Sequence, residues 1–304
     1  MGMASGPELT LLSVKYGSSH WLLENAALCQ ALNPDFSYRW LVVNNDADLE
    51  FERVAHDFTL LPAVNRPVSR DRGSAHHGAA LNSALERVRS RFLLVIDHDF
   101  YVVRPDWMRE VIQHMLLREL AFFGSVWHPK WSYQYRDFPS VHFMLIDLQR
   151  VPLETLDFMP DIGGDAWDNF ISSPRVPMPR SLRVLLQAGR FRDTGWRIKR
   201  RFAQSVSFEC LTPYFDLVGE SASGLQRFAQ KFLAQRWSVS PTSEARVIAQ
   251  SFLKLLSPSA HLSGWEEFFW RERPFAFHLR MVGRRGIDQS DQRVLDQVLK
   301  KSTK

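Results

Sequence analysis

Cys29 and Cys210 are the only thiols in 304 residues. Two are too few for a disulfide framework or a zinc cage. They fit a chain held in a reducing cytoplasm. Long apolar runs are missing as well. None approaches the ~18 residues that a membrane-spanning helix needs. The opening MGMASGPELT has no basic region leading into an apolar core, so no secretory leader is expected. Gly6 stands where a myristoylation signal needs Ser or Thr. There is no internal repeat and no low-complexity segment. No RNP-type strand or zinc finger is present, which counts against a nucleic-acid-binding module. The segment after the first apolar run, VKYGSS, is too sparse in Gly and basic residues to cradle a triphosphate.

What remains is a globular composition. The chain is 45% hydrophobic and 23% charged, enough to bury a sizeable core. Its net charge is +5. A basic balance suits phosphate-bearing ligands, nucleic acid or an anionic membrane surface without choosing among them. Ten Trp and 12% aromatics suit stacking sites and ordinary cores alike.

Read in order, LTLLSVKYG (Leu9 to Gly17) predicts a buried strand, and Trp21 to Leu32 a helix ending before Asn33-Pro34. YRWLVVNND (Tyr38 to Asp46) predicts a second buried strand. A short charged helix and a short strand, Phe58 to Leu61, follow. VNRPVSRDRGSAHHG reads as a loop holding His76 and His77. Leu81, Ala84, Leu85 and Val88 then trace a helix face. In RFLLVIDHDFYVV (Arg91 to Val103) the apolar run Leu93 to Ile96 reads as a central strand that ends at Asp97-His98-Asp99. After Pro105 comes an amphipathic helix, then strands within Ala121 to Trp127 and Val141 to Val151. Alternating strands and helices of these lengths imply parallel strands with crossover helices. Beyond residue 150 the pattern thins. Residues 180 to 201 hold eight Arg or Lys against one acid, Asp193. Two more helices are predicted, Leu225 to Arg236 and Glu244 to Leu256. A core helix or a membrane-lying one both fit the first of these.

In open α/β sheets, ligands sit at the carboxyl ends of the strands. Three such ends are polar here: Lys15-Tyr16-Gly17, Asn44-Asn45-Asp46 and Asp97-His98-Asp99. Two carboxylates ~4 Å apart repel by about 4 kcal/mol at an effective dielectric of 20. A proton, a basic partner or a divalent cation must offset that cost, and oxygen ligands suit Mg²⁺ or Mn²⁺.

Tyr16 at the first strand end, LVVNND, HHGAALNSAL and VIDHD, in this order, resemble the nucleotide-sugar glycosyltransferases of the GT-A fold, especially the non-processive family 2 type with its Asp-x-Asp motif. The likeness covers residues 9 to 103 well and the rest loosely. It implies an α/β fold of the GT-A, Rossmann-like kind: a mixed, mostly parallel sheet flanked by helices, with a less regular helical C-terminal extension. The expected divisions are a tail (1–8), a nucleotide-sugar-binding core (9–150), an acceptor-side part (151–285) and a basic tail (286–304). The Asp46-Ala47-Asp48 segment departs from the family's usual Gly-Ser after the second strand. No Gln-x-x-Arg-Trp motif of the processive synthases is present.

The resemblance implies a metal-dependent, inverting transfer of one sugar from a nucleoside-diphosphate sugar to a hydroxyl-bearing glycan or lipid-linked acceptor, as in cell-surface polysaccharide or glycolipid assembly. Nucleotide-sugar binding falls to Tyr16, Asn45, Asp46, Asp97, His98, Arg280 and Arg285, with Arg284 beside them and His98 a spacer between the aspartates. Asp97, Asp99 and His278 would hold Mn²⁺ or Mg²⁺. Asp193, opening DTGWRIKRRFA, matches the catalytic base, with Asp165 and Asp168 of GGDAWDNF as rivals. A helix cap held by arginines is the plain alternative for Asp193. The expected setting is cytoplasmic, with peripheral contact at the inner membrane face and no nucleic-acid partner. A nucleotidyltransferase on a related fold and a basic nucleic-acid-binding protein are the alternatives.

Overall fold

The computed structural model describes residues 8–64, 72–128, 135, 137–161, 192–214, 265–279 and 289–302. The chain starts with β1 (Leu9–Lys15), α1 (His20–Leu32), β2 (Tyr38–Asn44), α2 (Leu49–Val54), β3 (Phe58–Leu61) and α3 (Arg72–Ala84). It continues with β4 (Phe92–Ile96), β5 (Phe100–Val102), α4 (Trp107–Leu117), β6 (Phe122–Ser125) and β7 (Phe143–Asp147). The second half adds α5 (Trp196–Phe202), β8 (Phe208–Pro213), the hairpin β9 (Trp265–Trp270) and β10 (Arg273–Leu279), and α6 (Gln289–Ser302).

Among the described residues, ten strands join one mixed sheet in the order β3-β2-β1-β4-β7-β6-β8-β9-β10-β5. β3, β2, β1 and β4 are parallel to one another, as the strand–helix alternation requires. β7 is antiparallel to both β4 and β6, and the β9–β10 hairpin and β5 close the far side antiparallel. The expected mixed α/β sheet is therefore present.

The continuous apolar runs of β1 and β4 follow from burial on both faces. Leu9 and Leu11, with Phe92, Leu94 and Ile96, enter the core beneath α1 and α4. Leu12 and Val14, with Leu93 and Val95, enter the core beneath α3. Burying one such side chain stabilises the fold by roughly 1.5–3 kcal/mol.

The path β1, β2, β3 steps one way across the sheet, and α3 then carries the chain back to place β4 on the other side of β1. That reversal leaves a crevice beyond the carboxyl ends of β1 and β4, where the two connections diverge.

One local expectation is corrected. α3 starts by Arg72, so His76 and His77 are helical rather than in a loop. Ala75 and His76 are buried, and His76 lies one helical turn before Ala80. The strand end expected at Asp97-His98-Asp99 divides the stretch Arg91 to Val103 into β4 and β5. The sheet ladder ends at Ile96, the chain turns, and β5 pairs with β10 instead. Near the end of the chain, α6 buries Val294 and Leu295. The predicted helices at 225–236 and 244–256 lie outside the described residues.

Candidate metal and nucleotide site

The break in the central strand builds the site. The Asp97 N–H donates to His142 O on the chain leading into β7 (2.9 Å), and the Phe100 N–H closes a turn on Asp97 O (3.1 Å). Asn25 of α1 pins that turn by donating to Phe100 O at 2.9 Å. Released from β4, the chain crosses to β10, where Phe100 faces His278 in register. The Leu279 N–H donates to Asp99 O at 3.0 Å. Asp97 thus stays at the end of β4 while Asp99 is carried against His278.

His278 Nε2 lies 3.5 Å from Asp99 Oδ1 and 3.7 Å from Asp97 Oδ2. One donor atom from each of Asp97, Asp99 and His278 falls within 4.8 Å of the others. Two carboxylate oxygens and one imidazole nitrogen form a donor set that a divalent cation accepts, with nitrogen favouring Mn²⁺ over Mg²⁺. Positive charge is required here in any case. Burial alone would lower the His278 pKa, but the carboxylates of Asp99 and Glu266 outweigh it and raise the value to about 9. Burial likewise works against the Asp99 carboxylate, yet His98 and His278 hold its pKa below the usual range.

Glu266 went unnoticed in the sequence. Its carboxylate is fully buried and meets His278 Nδ1 at 2.9 Å. This fixes the ring so that Nε2 faces the aspartates, the usual arrangement behind a metal-binding imidazole. The pairing depends on an irregularity in the hairpin. Arg271 and Glu272 form a two-residue turn with φ of 52° and 60°, and Arg273 faces Trp270 across it. Counting outward from that turn puts His278 opposite Trp265. The extra residue Phe275, between Pro274 and Ala276, shifts the register so that His278 faces Glu266.

Two further imidazoles flank Asp97. His77 Nε2 stands 4.0 Å from Oδ1, and His142 Nε2 3.9 Å from Oδ2. Burial and the neighbouring His98 and His76 lower the His77 pKa to about 4, which leaves that ring neutral. His98 is partly buried, and its Nε2 has no hydrogen-bond partner among the described residues.

At the ends of β1 and β2, Lys15 is fully buried. Its ammonium contacts Asp46 Oδ1 at 2.9 Å and Asp48 Oδ2 at 2.7 Å. Asp46 also accepts the Gly17 N–H at 2.7 Å. Asp48 accepts the Glu50 and Phe51 N–H groups and caps α2. The Asp46-Ala47-Asp48 departure is therefore paired with a buried lysine that locks the two strand ends together. Asn45 Oδ1 accepts the Val64 N–H at 3.2 Å, which orients its amide nitrogen away from Val64. Tyr16 is 43% exposed and meets His76 edge-on, with ring centroids 6.3 Å apart.

Asp193 lies in the turn before α5. The helix N-cap is Gly195, at φ 82°, so Asp193 is not a helix cap. Its Oδ1 accepts the Thr194 N–H at 2.8 Å. The Thr194 hydroxyl donates to Ser74 O at 3.0 Å, which ties this turn to α3 one helical turn before His77. Gly78 and Asn82 of α3 hold the neighbouring strand of chain. A Cβ on Gly78 would sit 2.7 Å from Phe158 O, and Asn82 bonds Asp157 Oδ1 (3.0 Å) and the Phe158 N–H (2.8 Å). The Gly195 N–H then donates to Phe158 O at 2.9 Å.

The described part of the basic stretch is substantially paired. Arg197 meets Asp157 at 2.7 Å, and Arg192 and Arg200 meet Asp161 at 3.4 and 3.1 Å. Asp165, Asp168, Arg280, Arg284 and Arg285 lie outside the described residues. No helix among the described residues is long and apolar enough to cross a membrane.

No family model and no curated protein matches this chain. Solved structures do. One is the mannosyltransferase PcManGT from Pyrobaculum calidifontis in complex with GDP-Man and Mn²⁺, at 14% identity over 49% of this chain and 48% of that one, TM-score 0.36. Another is S. aureus TarS 1–349 in complex with UDP-GlcNAc, at 17% identity over 39% and 34%, TM-score 0.31. A third is the galactosyltransferase LgtC in complex with donor and acceptor sugar analogs, at 16% identity over 48% and 61%, TM-score 0.35. The matched segments span about half of PcManGT, a third of TarS and three-fifths of LgtC.

Proposed function

We propose that the protein is a metal-dependent glycosyltransferase that moves one sugar from a nucleoside-diphosphate sugar to a hydroxyl acceptor with inversion. The observation that carries this reading is the convergence of Asp97, Asp99 and His278 within 4.8 Å at the end of β4, beside the crevice where the strand order reverses. A diphosphate placed there is next to a cation site, and a nucleoside can extend towards the ends of β1 and β2.

The roles, that of Glu266 apart, are those the sequence resemblance implies. Tyr16 packs against the base, and the Asn45 amide hydrogen-bonds it. Asp97 lies towards the ribose and shares the cation with Asp99 and His278, while Glu266 keeps the imidazole aimed. When bound, a divalent cation neutralises charge that develops on the leaving nucleoside diphosphate. Asp193 takes the proton from the acceptor hydroxyl as it attacks the anomeric carbon, with Asp165 and Asp168 as its rivals. The sequence resemblance assigns the diphosphate to Arg280 and Arg285, which lie outside the described residues. The setting is cytoplasmic, with a glycan or lipid-linked acceptor and peripheral membrane contact. A triphosphate-using nucleotidyltransferase fits less well, because Lys15 is buried against Asp46 and Asp48.

The test is a thermal-shift screen of UDP, GDP, CDP and ADP, each with and without Mn²⁺. A nucleotide at 100 times its dissociation constant adds about 2.7 kcal/mol to the folded state. The expected result is stabilisation by at least one nucleotide that requires Mn²⁺. No shift with any of the four overturns the reading.

A further inference from the structure

His142 is a buried histidine at the edge of the site that the proposed chemistry leaves without a role. It is 5% exposed and directly precedes β7. Its backbone oxygen accepts the Asp97 N–H at 2.9 Å, so the two residues are fixed side by side across the ladder. Its ring is also oriented. Nδ1 meets Ser140 Oγ at 3.0 Å, and Ser140 Oγ meets Ser125 Oγ at 3.2 Å. Both serines are fully buried. Trp127 packs edge-on against the ring at 4.2 Å. Held in this way, Nε2 points at Asp97.

The His142 and His278 rings approach the same atom. Their Nε2 nitrogens stand 3.9 and 3.7 Å from Asp97 Oδ2, and their centroids are 4.7 Å apart. Both distances are too long for hydrogen bonds. From Asp97 Oδ2 both suit donors sharing one ion, and His142 stands just outside the set of Asp97, Asp99 and His278 whose donor atoms all lie within 4.8 Å of one another. At bonds of about 2.1 Å, two donors on one ion are ~3 Å apart at right angles and ~4.2 Å apart when opposite. The plainer account makes His142 a core histidine satisfied by Ser140. That account explains the Nδ1 contact but not why a second imidazole nitrogen converges on a carboxylate that already faces His278.

We propose that His142 is a second imidazole ligand of the ion held by Asp97, Asp99 and His278, joining them by a small ring rotation. This rests on the metal reading above. Ser140 and Ser125 then stand behind His142 as Glu266 stands behind His278. Two nitrogens beside two carboxylates move the preference further from Mg²⁺ towards Mn²⁺ and other transition ions.

Pulsed EPR of Mn²⁺ bound to the full chain, with histidine labelled by ¹⁵N, counts the coordinating imidazoles. The expected count is two in the native protein and one in His142→Gln. Mn²⁺ affinity in that variant should fall at least by the ~10–100-fold that losing even a supporting partner costs, with Mg²⁺ affinity changing far less. One nitrogen in the native protein, or two persisting in His142→Gln, overturns the proposal. The native count decides the question even where the variant does not fold. A bound ion with a single nitrogen removes His142 and leaves the metal reading standing. No bound Mn²⁺ removes both.

Discussion

Asp99→Ala should abolish Mn²⁺-dependent binding of nucleoside diphosphate while leaving the metal-free protein folded. Asp99 is 5% exposed and supplies the carboxylate nearest His278, at 3.5 Å. A bound divalent ion stabilises developing negative charge by several kcal/mol. At ~1.4 kcal/mol per factor of ten, its loss lowers turnover on the order of a thousandfold. The fold has no comparable need of this side chain. Leu279 bonds the Asp99 backbone oxygen, which alanine retains. His278 keeps Glu266 at 2.9 Å. Removing one of two neighbouring carboxylates also relieves their repulsion. Alanine also loses the charge pair with His278 at 3.5 Å, so the metal-free variant should stay folded but unfold below the native temperature, with the Mn²⁺-induced shift gone. A variant that still shows that shift removes Asp99 from the site.

Asp193→Asn should give the opposite pattern, with donor binding kept and transfer lost. General-base catalysis contributes typically 10²–10⁴-fold, and that is the expected fall in transfer rate. Asparagine keeps the Oδ1 that accepts the Thr194 N–H, and the Thr194–Ser74 tie to α3 is untouched. The turn should therefore survive without its negative charge. Donor binding measured by the Mn²⁺-dependent thermal shift should match the native protein. Full transfer activity in the variant excludes Asp193 as the base and passes the role to Asp165 or Asp168.

The parts of this account legible in the sequence are those written in local pattern. The apolar runs of β1, β2 and β4 mark strands buried on both faces, and their polar ends mark where a ligand crevice lies. Asp97, Asp99 and His278 stand out as residue types suited to a cation, and the structure gathers them. What the sequence conceals is long-range register. Asp97-His98-Asp99 marks the end of β4, but nothing local shows that the chain then pairs β5 with β10, and that crossing brings Asp99 to His278. Glu266 is hidden by the one-residue bulge at Phe275, since simple counting from the turn sets Trp265 opposite His278. Lys15 reads as the polar end of a strand, and only the fold reveals that it is buried against Asp46 and Asp48. His142 reads as an ordinary strand-flanking residue until the antiparallel pairing of β4 and β7 puts it beside Asp97.

The central claim is that Asp97, Asp99 and His278 hold one divalent cation. Diffraction at the manganese absorption edge, from crystals grown with Mn²⁺ and the nucleoside diphosphate that stabilises the protein, tests it most directly. The account predicts one strong anomalous peak at bonding distance from a carboxylate oxygen of each aspartate and from His278 Nε2. A map with no peak there, or with its main peak elsewhere, contradicts it.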